Sequence, residues 1–300
     1  MNLLQKIQYS QFWNIGFCEQ TPEDLVQKQK LNPIRWLTHP YRDRWFADPF
    51  IYRVTDNEIV VFVEECMIEQ PKGIICELVI DKQSLHLKER YVMIELDSHL
   101  SYPAILRIND RVYVYPENGA SGRLNIYEYD KENHRLVNPI CILDEAVADA
   151  TILENGGRYF MCATKFPHTQ ERAYIYEASH PFDLFHQVRK DPFQLSRSCS
   201  RQGGGWLLLN NKTYRPAQDC GKRYGAALNI MEVFINSNEI QERQSFQVGP
   251  AGNRYHLGLH TLNFQSGICV VDGCGYFFPF LGRLYYNSFF RPLFKSILRR

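Results

Sequence analysis

Short apolar strands separated by polar turns recur along the chain with a period of about 50 residues. In each repeat a polar or small residue precedes an apolar strand, a turn follows, and a second strand ends in a polar group. The first repeat begins at Asp48, and its second strand ends at Glu64 and Glu65. Later repeats begin at Tyr102, Asp149, Arg201 and His260. Five such units predict the blades of a five-bladed β-propeller, and the five residues that begin them, here called the head residues, are expected to face one central channel.

Alternation of apolar and polar residues, clear at 111–115, predicts short strands through most of the chain. Because no long amphipathic helix interrupts this pattern, the predicted fold is all-β, with the propeller over residues 46–280. Residues 1–45 are expected to form an entry segment that closes onto the propeller. Within it, 12–17 reads as a strand, and Thr21 is placed to cap a short helix.

The last twenty residues, 281–300, depart from the strand pattern and form a basic amphipathic tail. Residues 283–300 are aromatic, aliphatic and cationic and include no acidic residue. As a helix from Pro292 onward, Leu293 and Ile297 share one face. Two interpretations stay open: an element that lies on an anionic membrane surface, or a C-terminal element docked on the outside of a blade.

The amino-acid composition limits the classes of function that the protein can have. The net charge of +1 gives no reason to expect nucleic acid as a partner. Nine cysteines without a C-x-x-C pair are typical of free thiols in a reducing compartment. The N-terminus is too polar for a signal peptide, and no apolar run is long enough to span a membrane. We therefore expect a cytoplasmic protein, peripheral at the inner membrane face if residues 283–300 bind lipid.

The predicted channel is rich in groups that suit a sugar. Carboxylates and cations can bind hydroxyls in pairs, and aromatic rings can stack on pyranose faces. The candidate catalytic residues are Asp48, Glu117, Asp149 and Asp219. The candidate substrate-binding residues are Trp45, Glu65, Tyr102, Lys165, Arg201, Arg215, Lys222, Arg223 and His260. The alternative for each carboxylate is a structural role, closing a blade through backbone N–H groups. No metal ligand set is predicted, although the channel could hold a structural cation.

Two segments resemble the five-bladed propellers of glycoside hydrolase family 43. These are Ala47-Asp48-Pro49-Phe50-Ile51 and Val147-Ala148-Asp149-Ala150-Thr151-Ile152. In that family an Asp on the first blade is the general base, and an Asp on the third blade orients the general acid and tunes its pKa. The resemblance implies these roles for Asp48 and Asp149.

A closer resemblance covers residues 36 to about 265. Its most specific segment is Tyr214-Arg215-Pro216-Ala217-Gln218-Asp219-Cys220-Gly221-Lys222-Arg223-Tyr224-Gly225. The chain resembles the N-terminal propeller domain of plant glucosamine inositolphosphorylceramide transferases and related bacterial surface-polysaccharide proteins. This implies the propeller fold and a context of glycan assembly. In the plant proteins the transferase chemistry is assigned to a separate domain, so the resemblance leaves the activity open.

One position departs from the hydrolase pattern. Family 43 places a glutamate general acid on the fourth blade, whereas this chain has Arg201 between Ser200 and Gln202 there. A hydrolase would need Glu117 or Asp219 as its acid. Alternatively, the leaving group is a nucleotide diphosphate, whose departure cationic side chains assist. Those side chains would be Arg201, Lys222 and Arg223.

Three functions follow from this sequence. The first is transfer of a sugar to a lipid-linked saccharide during surface-glycan biosynthesis, with Asp48 as the base that deprotonates the acceptor and a nucleotide-sugar as donor. The second is a glycoside hydrolase of the same fold. The third is a propeller that binds glycans or recruits partner enzymes without catalysis, because a fold does not fix a function.

Overall fold

The described residues fold into five antiparallel sheets, and each sheet is one blade of a propeller. The computed structural model describes residues 2–9, 11–209, 212–235, 240–250 and 252–287. Strands account for 55% of the residues and helices for 8%, as the alternating sequence pattern predicts. The N-terminal elements are α1 (Leu3–Gln8), β1 (Phe12–Glu19), α2 (Pro22–Lys28) and β2 (Arg35–Trp36).

The first two blades follow directly along the chain. Blade 1 contains β3 (Arg44–Val54), β4 (Glu58–Met67), β5 (Gly73–Asp81) and β6 (Leu87–Ile94). Blade 2 contains β7 (Ser101–Ile108), β8 (Arg111–Glu117), β9 (Leu124–Asp130) and β10 (Arg135–Leu143). In both blades each strand pairs with its neighbour in the sequence, from the innermost strand outward.

Blades 3 and 4 repeat this meander with shorter edge strands. Blade 3 contains β11 (Val147–Asn155), β12 (Arg158–Lys165), β13 (Arg172–Ala178), β14 (His186–Gln187) and β15 (Gln194–Leu195). Blade 4 contains β16 (Leu207–Leu209), β17 (Lys212–Asp219), β18 (Ala227–Ile235) and β19 (Ile240–Val248). The innermost strand of blade 4 is short, which agrees with the looser fourth repeat in the sequence.

Blade 5 is built from both ends of the chain. Its inner strands are β20 (Leu262–Gln265) and β21 (Ile268–Gly275), and β1 and β2 complete the sheet in the order β2-β1-β21-β20. Eight consecutive residues of β1 pair with β21. The predicted strand at 12–17 is therefore confirmed, and it lies inside the fifth blade. The predicted helix cap is also confirmed, because the Thr21 hydroxyl accepts the backbone N–H of Asp24.

Apolar side chains fill the spaces between neighbouring blades. Ile15 of β1, for example, lies fully buried in one cluster with Ile51 of blade 1 and Val270 of blade 5. Other clusters join blades 1 and 2, blades 2 and 3, and blades 4 and 5. Because each blade buries its faces against its two neighbours, closure of the ring by β1 completes the core on both sides of blade 5.

The chain continues past β21 into α3 (Pro279–Asn287), which contacts α1. The Tyr286 hydroxyl donates to the backbone oxygen of Gln8, and the Gln8 amide donates to Tyr285. The rest of the predicted tail, 288–300, lies outside the described residues. None of the helices within the described ranges is long and apolar enough to cross a membrane.

We expect Ile15→Ala to weaken ring closure. The cavity left in a fully buried site should lower the free energy of unfolding by about 2–5 kcal/mol, measured by urea denaturation. Leu208→Ala is the matched control, since Leu208 is 61% exposed on blade 4 and should change stability by no more than about 0.5 kcal/mol. Equal effects of the two substitutions would contradict this role of β1.

Candidate functional site

Backbone bulges position three of the five head residues. Asp48, Tyr102 and Asp149 have φ angles of 50°, 48° and 48°. Each lies where the register of the innermost strand shifts against the second strand of its blade. A bulge redirects a side chain, and a left-handed backbone at a residue other than glycine costs about 1–3 kcal/mol. The same strained conformation thus recurs at the same place in three repeats.

The head residues Asp48 and His260 meet Asp272 in a buried group, here called the axial triad. Asp272 accepts the backbone N–H of Asp48 at 3.1 Å and those of His260 and Thr261 at 2.9 and 3.0 Å. Its Oδ2 lies 2.5 Å from Nδ1 of His260. Asp48 accepts the Thr261 hydroxyl at 2.7 Å and the backbone N–H of Tyr102 at 3.2 Å. The triad therefore ties blade 5 to blades 1 and 2.

Burial controls the protonation of the axial triad. Desolvation raises the pKa of Asp48 to about 8, although the nearby His260 opposes this shift. Desolvation lowers the pKa of His260, but the carboxyl groups of Asp272 and Asp48 outweigh it and raise the pKa to about 9. Near neutral pH this favours an imidazolium paired with Asp272 beside a neutral Asp48. With both oxygens in hydrogen bonds, Asp48 is better suited to hold the blades together than to the predicted role of general base.

A second buried group, here called the Arg201 cluster, joins blades 2, 3 and 4. The Arg201 guanidinium lies 2.5 and 3.2 Å from the two carboxylate oxygens of Asp149 and 3.3 Å from Oε2 of Glu117. Gln218 donates to Asp149 at 2.6 Å. The backbone N–H of Asp149 donates to Oε2 of Glu117 at 3.2 Å. Head residues Asp149 and Arg201 thus contact each other, as the repeat pattern predicts.

The Arg201 cluster has one cation for two carboxyl groups. Asp149 takes the two-point contact, and Glu117 is left with a single longer one. Desolvation raises the pKa of Glu117 well above its usual value, with Arg201 opposing the shift and Asp149 adding to it. The hydrogen bonds that Glu117 accepts end on Oε2, which leaves Oε1 to carry a proton. A neutral carboxylic acid beside a guanidinium is suited to donate a proton to a bound ligand.

Polar groups at the outer end of the site reach solvent. Nε2 of His99 lies 3.2 Å from Glu64, and the His99 side chain is 47% exposed. Tyr224 lies under Arg201, with 5.4 Å between the guanidinium carbon and the ring centre. Trp13 stacks on His260 with ring centres 4.0 Å apart. We call the set of Glu64, His99, Glu117, Arg201 and Tyr224 the axial mouth; Glu64 and Arg201 are buried, Glu117 and Tyr224 are half-buried, and His99 is exposed.

Several predicted ligands lie elsewhere. Tyr102 is fully buried, and its hydroxyl accepts the backbone N–H of Gly204, so it offers no ring face to a sugar. Glu65 is held between Arg44 and Arg90 in blade 1. Arg215 binds Glu242 within blade 4 and is also fully buried. In each case a buried charge or hydroxyl is satisfied inside the blades.

The other predicted residues lie outside the axial triad and the Arg201 cluster, although Trp45 packs in one apolar cluster with Trp13 and Tyr224. Lys165 lies 2.6 Å from Glu145 in an ion pair. Trp45 donates through its indole N–H to the Tyr9 hydroxyl. Asp219 accepts the backbone N–H of Gly221 and the side-chain amide of Gln247. Lys222 and Arg223 are exposed in the loop after β17.

The sequence repeats contained signals for residues that the prediction missed. Glu64, not Glu65, pairs with Ala47 beside the first head residue. In blade 2 the equivalent position is Glu117, which pairs with Ser101 beside Tyr102. Asp272 follows the apolar run of β21 at the corresponding end of the fifth repeat. Glu117 is already among the predicted catalytic residues, and the same count from the first head residue would have selected Glu64. Tyr224 and Trp13 had no such signal, because they lie outside the repeat.

The axial triad could provide cation ligands, since Asp48, His260 and Asp272 each offer an atom within 4.8 Å of the others. The contact of 2.5 Å between His260 and Asp272 is a hydrogen-bond length and leaves no room for a cation between these two atoms. Nε2 of His260, which lies 3.8 Å from Oδ1 of Asp48, is the ring nitrogen left to bind a cation, and the proposed chemistry does not use one.

We expect Asp48→Asn to remove a pH dependence of stability. Asp48, with its pKa raised from 3.8 to about 8, keeps a proton that the unfolded chain releases at lower pH. Because the folded state binds more protons between these values, the free energy of unfolding falls as the pH rises, by up to about 1.4 kcal/mol per pH unit. The uncharged amide of the variant has no such proton to lose. Urea unfolding at several pH values between about 5 and 8 measures the slope.

Asp56→Asn is the matched control for this experiment, since Asp56 lies in the exposed turn between β3 and β4. It should retain the wild-type slope. An Asp48→Asn variant with the same slope as wild type would show that Asp48 is ionised in the folded protein.

Comparisons with solved structures agree with the propeller architecture. A thermostable family-43 glycoside hydrolase matches with a TM-score of 0.52 and 14% identity, covering 69% of this chain and 78% of that one. Zg3597, a family 117 glycoside hydrolase from Zobellia galactanivorans, matches with a TM-score of 0.56 and 10% identity over 89% and 92% of the two chains. At such identities the likeness shows the fold alone.

Sequence comparisons are more specific. The glucosamine inositolphosphorylceramide transferase 1 of Arabidopsis thaliana is 29% identical over 257 residues, which are 76% of this chain and 32% of that protein. The protein of the same name from Oryza sativa subsp. japonica is 23% identical over 265 residues, 81% of this chain and 35% of that protein. The chain thus spans about a third of the length of these relatives. The family model described as "Glucosamine inositolphosphorylceramide transferase 1, N-terminal" matches residues 36–273, so the chain belongs to that family.

Proposed function

We propose that this chain is a carbohydrate-active propeller of surface-glycan assembly that transfers a sugar to a lipid-linked saccharide. The observation that carries the proposal is the Arg201 cluster, in which Glu117, with a pKa raised well above its usual value by burial, lies beside a guanidinium at the axial mouth. The family supports a context of glycosyl transfer, because the relatives are named as transferases. The fold supports a carbohydrate ligand, because solved structures of this architecture include glycoside hydrolases.

The proposed chemistry starts from the proton on Glu117. As the bond between the sugar carbon and the leaving oxygen of the donor breaks, the acceptor oxygen forms a bond to that carbon and Glu117 gives its proton to the leaving oxygen. The resulting carboxylate is stabilised by Arg201, which lies 3.3 Å away. Glu64, paired with His99 at the axial mouth, is the candidate acceptor for the proton of the attacking hydroxyl. Asp149 keeps Arg201 in place and takes no proton from the substrate.

Hydrolysis is the second candidate reaction. The same proton on Glu117 favours it, with water attacking the sugar carbon in place of the acceptor hydroxyl. The two reactions differ in product, since hydrolysis releases a free sugar and transfer lengthens the lipid-linked saccharide.

The proposed site of action is the cytoplasmic face of a membrane. Residue Phe280 of α3 is 74% exposed, Leu281 is 41% exposed, and Leu3 of the adjoining α1 is 64% exposed. Lys6 and Arg283 add positive charge to the same pair of helices. Apolar side chains flanked by cations are typical of an interfacial membrane contact.

The two helices lie at the same end of the propeller as the axial mouth. The end of α1 is joined to β3 near its start, because the Tyr9 hydroxyl accepts the Trp45 indole N–H three residues before Asp48. The chain reaches α3 from the end of β21, just after Asp272. A propeller held to lipid through α1 and α3 would thus bring its axial mouth near a lipid-linked saccharide.

We expect Glu117→Gln to abolish glycan assembly without unfolding the protein. The amide has the shape of the neutral acid but no proton to transfer, and loss of a general acid typically slows a reaction by about 10²–10⁴-fold. Mass spectrometry of lipid-linked saccharides in a deletion strain should show the same truncated intermediate with this variant as with no protein. Glu132→Gln, an exposed change on the same blade, should restore the full-length product.

Full rescue by Glu117→Gln would contradict the catalytic role of Glu117. If Arg201→Gln then failed to rescue while remaining folded by circular dichroism, the axial mouth would be a binding site without chemistry.

We also expect the double variant Phe280→Ser, Leu281→Ser to lose membrane affinity by about tenfold or more, because each apolar side chain contributes through burial in lipid. Cosedimentation with vesicles of phosphatidylcholine and phosphatidylglycerol measures the partition. The matched control is Leu195→Ser with Leu208→Ser, two exposed leucines on blades 3 and 4. Equal losses in the two double variants would contradict a membrane contact through α3.

A further inference from the structure

A cavity of about 530 Å³ lies at the seam between blades 5 and 1, away from the axial triad and the Arg201 cluster. We call it the seam cavity. Its lining combines aromatic, amide, imidazole and guanidinium groups: Asn14, Trp36, His39, Arg42, Arg254 and Tyr255. Asn14 of β1 pairs with Gly273, the neighbour of Asp272. The seam cavity is thus at the same end of the propeller as the axial mouth.

Two buried polar atoms on the lining of the seam cavity have no partner among the described residues. Asn14, which is 3% exposed, donates its amide to the backbone oxygen of Leu37 at 2.9 Å and to the Tyr255 hydroxyl at 3.0 Å. Because a carbonyl oxygen can only accept, these bonds fix the orientation of the amide. The Oδ1 of Asn14 is left without a donor, and Nδ1 of His39 also lacks a partner. Buried polar atoms in proteins are nearly always satisfied, so these two atoms leave unmet hydrogen-bonding capacity in the wall of the seam cavity.

The charge at the seam cavity is positive. Arg42 and Arg254 are exposed, and in the described ranges neither has an ion pair with a carboxylate, whereas Asp43 is already paired with Arg44. Arg254 donates to the Tyr255 hydroxyl at 3.1 Å, which holds its guanidinium against the ring. Two guanidinium groups that have no carboxylate partner in the described ranges lie at the edge of the cavity. They favour phosphate as a ligand, because their planar donors match its oxygens.

Aromatic rings form one wall of the seam cavity. Trp36 and Tyr255 lie with ring centres 4.3 Å apart and a tilt of 48° between their planes. Flat apolar rings beside isolated polar groups are typical of pockets that bind small polar ring compounds. The face of a sugar ring can pack on Trp36, which is partly exposed, whereas Tyr255 is 3% exposed and supports the Trp36 ring.

We propose that the seam cavity is a binding site for a phosphorylated sugar. The sugar ring packs on the partly exposed Trp36, and the phosphate binds Arg42 and Arg254. The source of this ligand follows from the proposed function, on which this part of the proposal rests. It is either the phosphate end of a lipid-linked saccharide or the diphosphate of a nucleotide-sugar donor. The binding itself requires only the groups that line the cavity.

Titration calorimetry with the full chain tests the proposal. Glucose 1-phosphate should bind to wild type, and both glucose and inorganic phosphate should bind more weakly, because each lacks half of the contacts. Arg42→Gln with Arg254→Gln should weaken glucose 1-phosphate binding by about tenfold or more. The control Arg53→Gln with Arg35→Gln removes the same charge from exposed positions on blades 1 and 5 that do not line the cavity, and it should retain wild-type affinity.

Two further arms separate the sources of the phosphate. The first arm compares vesicles that contain phosphatidylinositol with vesicles of phosphatidylcholine. Stronger binding to the former by wild type, and its loss in the Arg42/Arg254 variant, would indicate the lipid-linked acceptor. Tighter binding of UDP-N-acetylglucosamine than of glucose 1-phosphate would indicate the donor. Both results support the site.

Unchanged affinity of the Arg42/Arg254 variant for glucose 1-phosphate would overturn the proposal, as would an absence of binding to wild type. If Glu117→Gln lost affinity for glucose 1-phosphate and the Arg42/Arg254 variant kept it, the ligand would bind at the axial mouth. That result would also overturn the proposal. Failure of the proposed function would give a different result. In that case Glu117→Gln would restore glycan assembly, while the arginine substitutions would still abolish binding of the sugar phosphate.

Discussion

Two buried pairs of carboxyl groups, each sharing one cation, organise the axis of this propeller. Asp48 and Asp272 share the imidazolium of His260, and Asp149 and Glu117 share the guanidinium of Arg201. A charge taken out of water is costly unless it is paired and hydrogen-bonded. Each pair therefore favours one neutral carboxyl group, and both depend on the five blades closing at the correct distance. Blade 5 can supply His260 and Asp272 only because β1 completes its sheet.

The repeat pattern in the sequence was sufficient to predict the fold and the residues that begin each blade. A period of about 50 residues, with polar residues at equivalent places, places the five head residues by counting alone. The contacts between Asp48 and Tyr102 and between Asp149 and Arg201 follow from that count. The left-handed backbone at Asp48, Tyr102 and Asp149 could not be predicted, since Asp, Tyr and Asp give no common signal for it.

The ligand set was harder to predict because it depends on register and on pairing between distant strands. A shift of one residue moves a side chain to the other face of a sheet, which is why Glu64 belongs to the axial mouth and Glu65 to an ion pair within blade 1. Arg215 lies in the segment that carries the family resemblance and was predicted to bind substrate, yet Glu242 on β19 neutralises it. Trp13 and Tyr224 contact His260 only because the chain ends and a loop fold over the ring.

The central claim is that Glu117 is a neutral acid beside Arg201 at neutral pH, and infrared spectroscopy tests it most directly. At neutral pH, the difference spectrum between wild type and Glu117→Gln in heavy water should show loss of the carbonyl stretch of a protonated carboxyl group. A difference spectrum that instead shows loss of an ionised carboxylate would contradict the account, because an ionised Glu117 cannot donate a proton to the leaving oxygen.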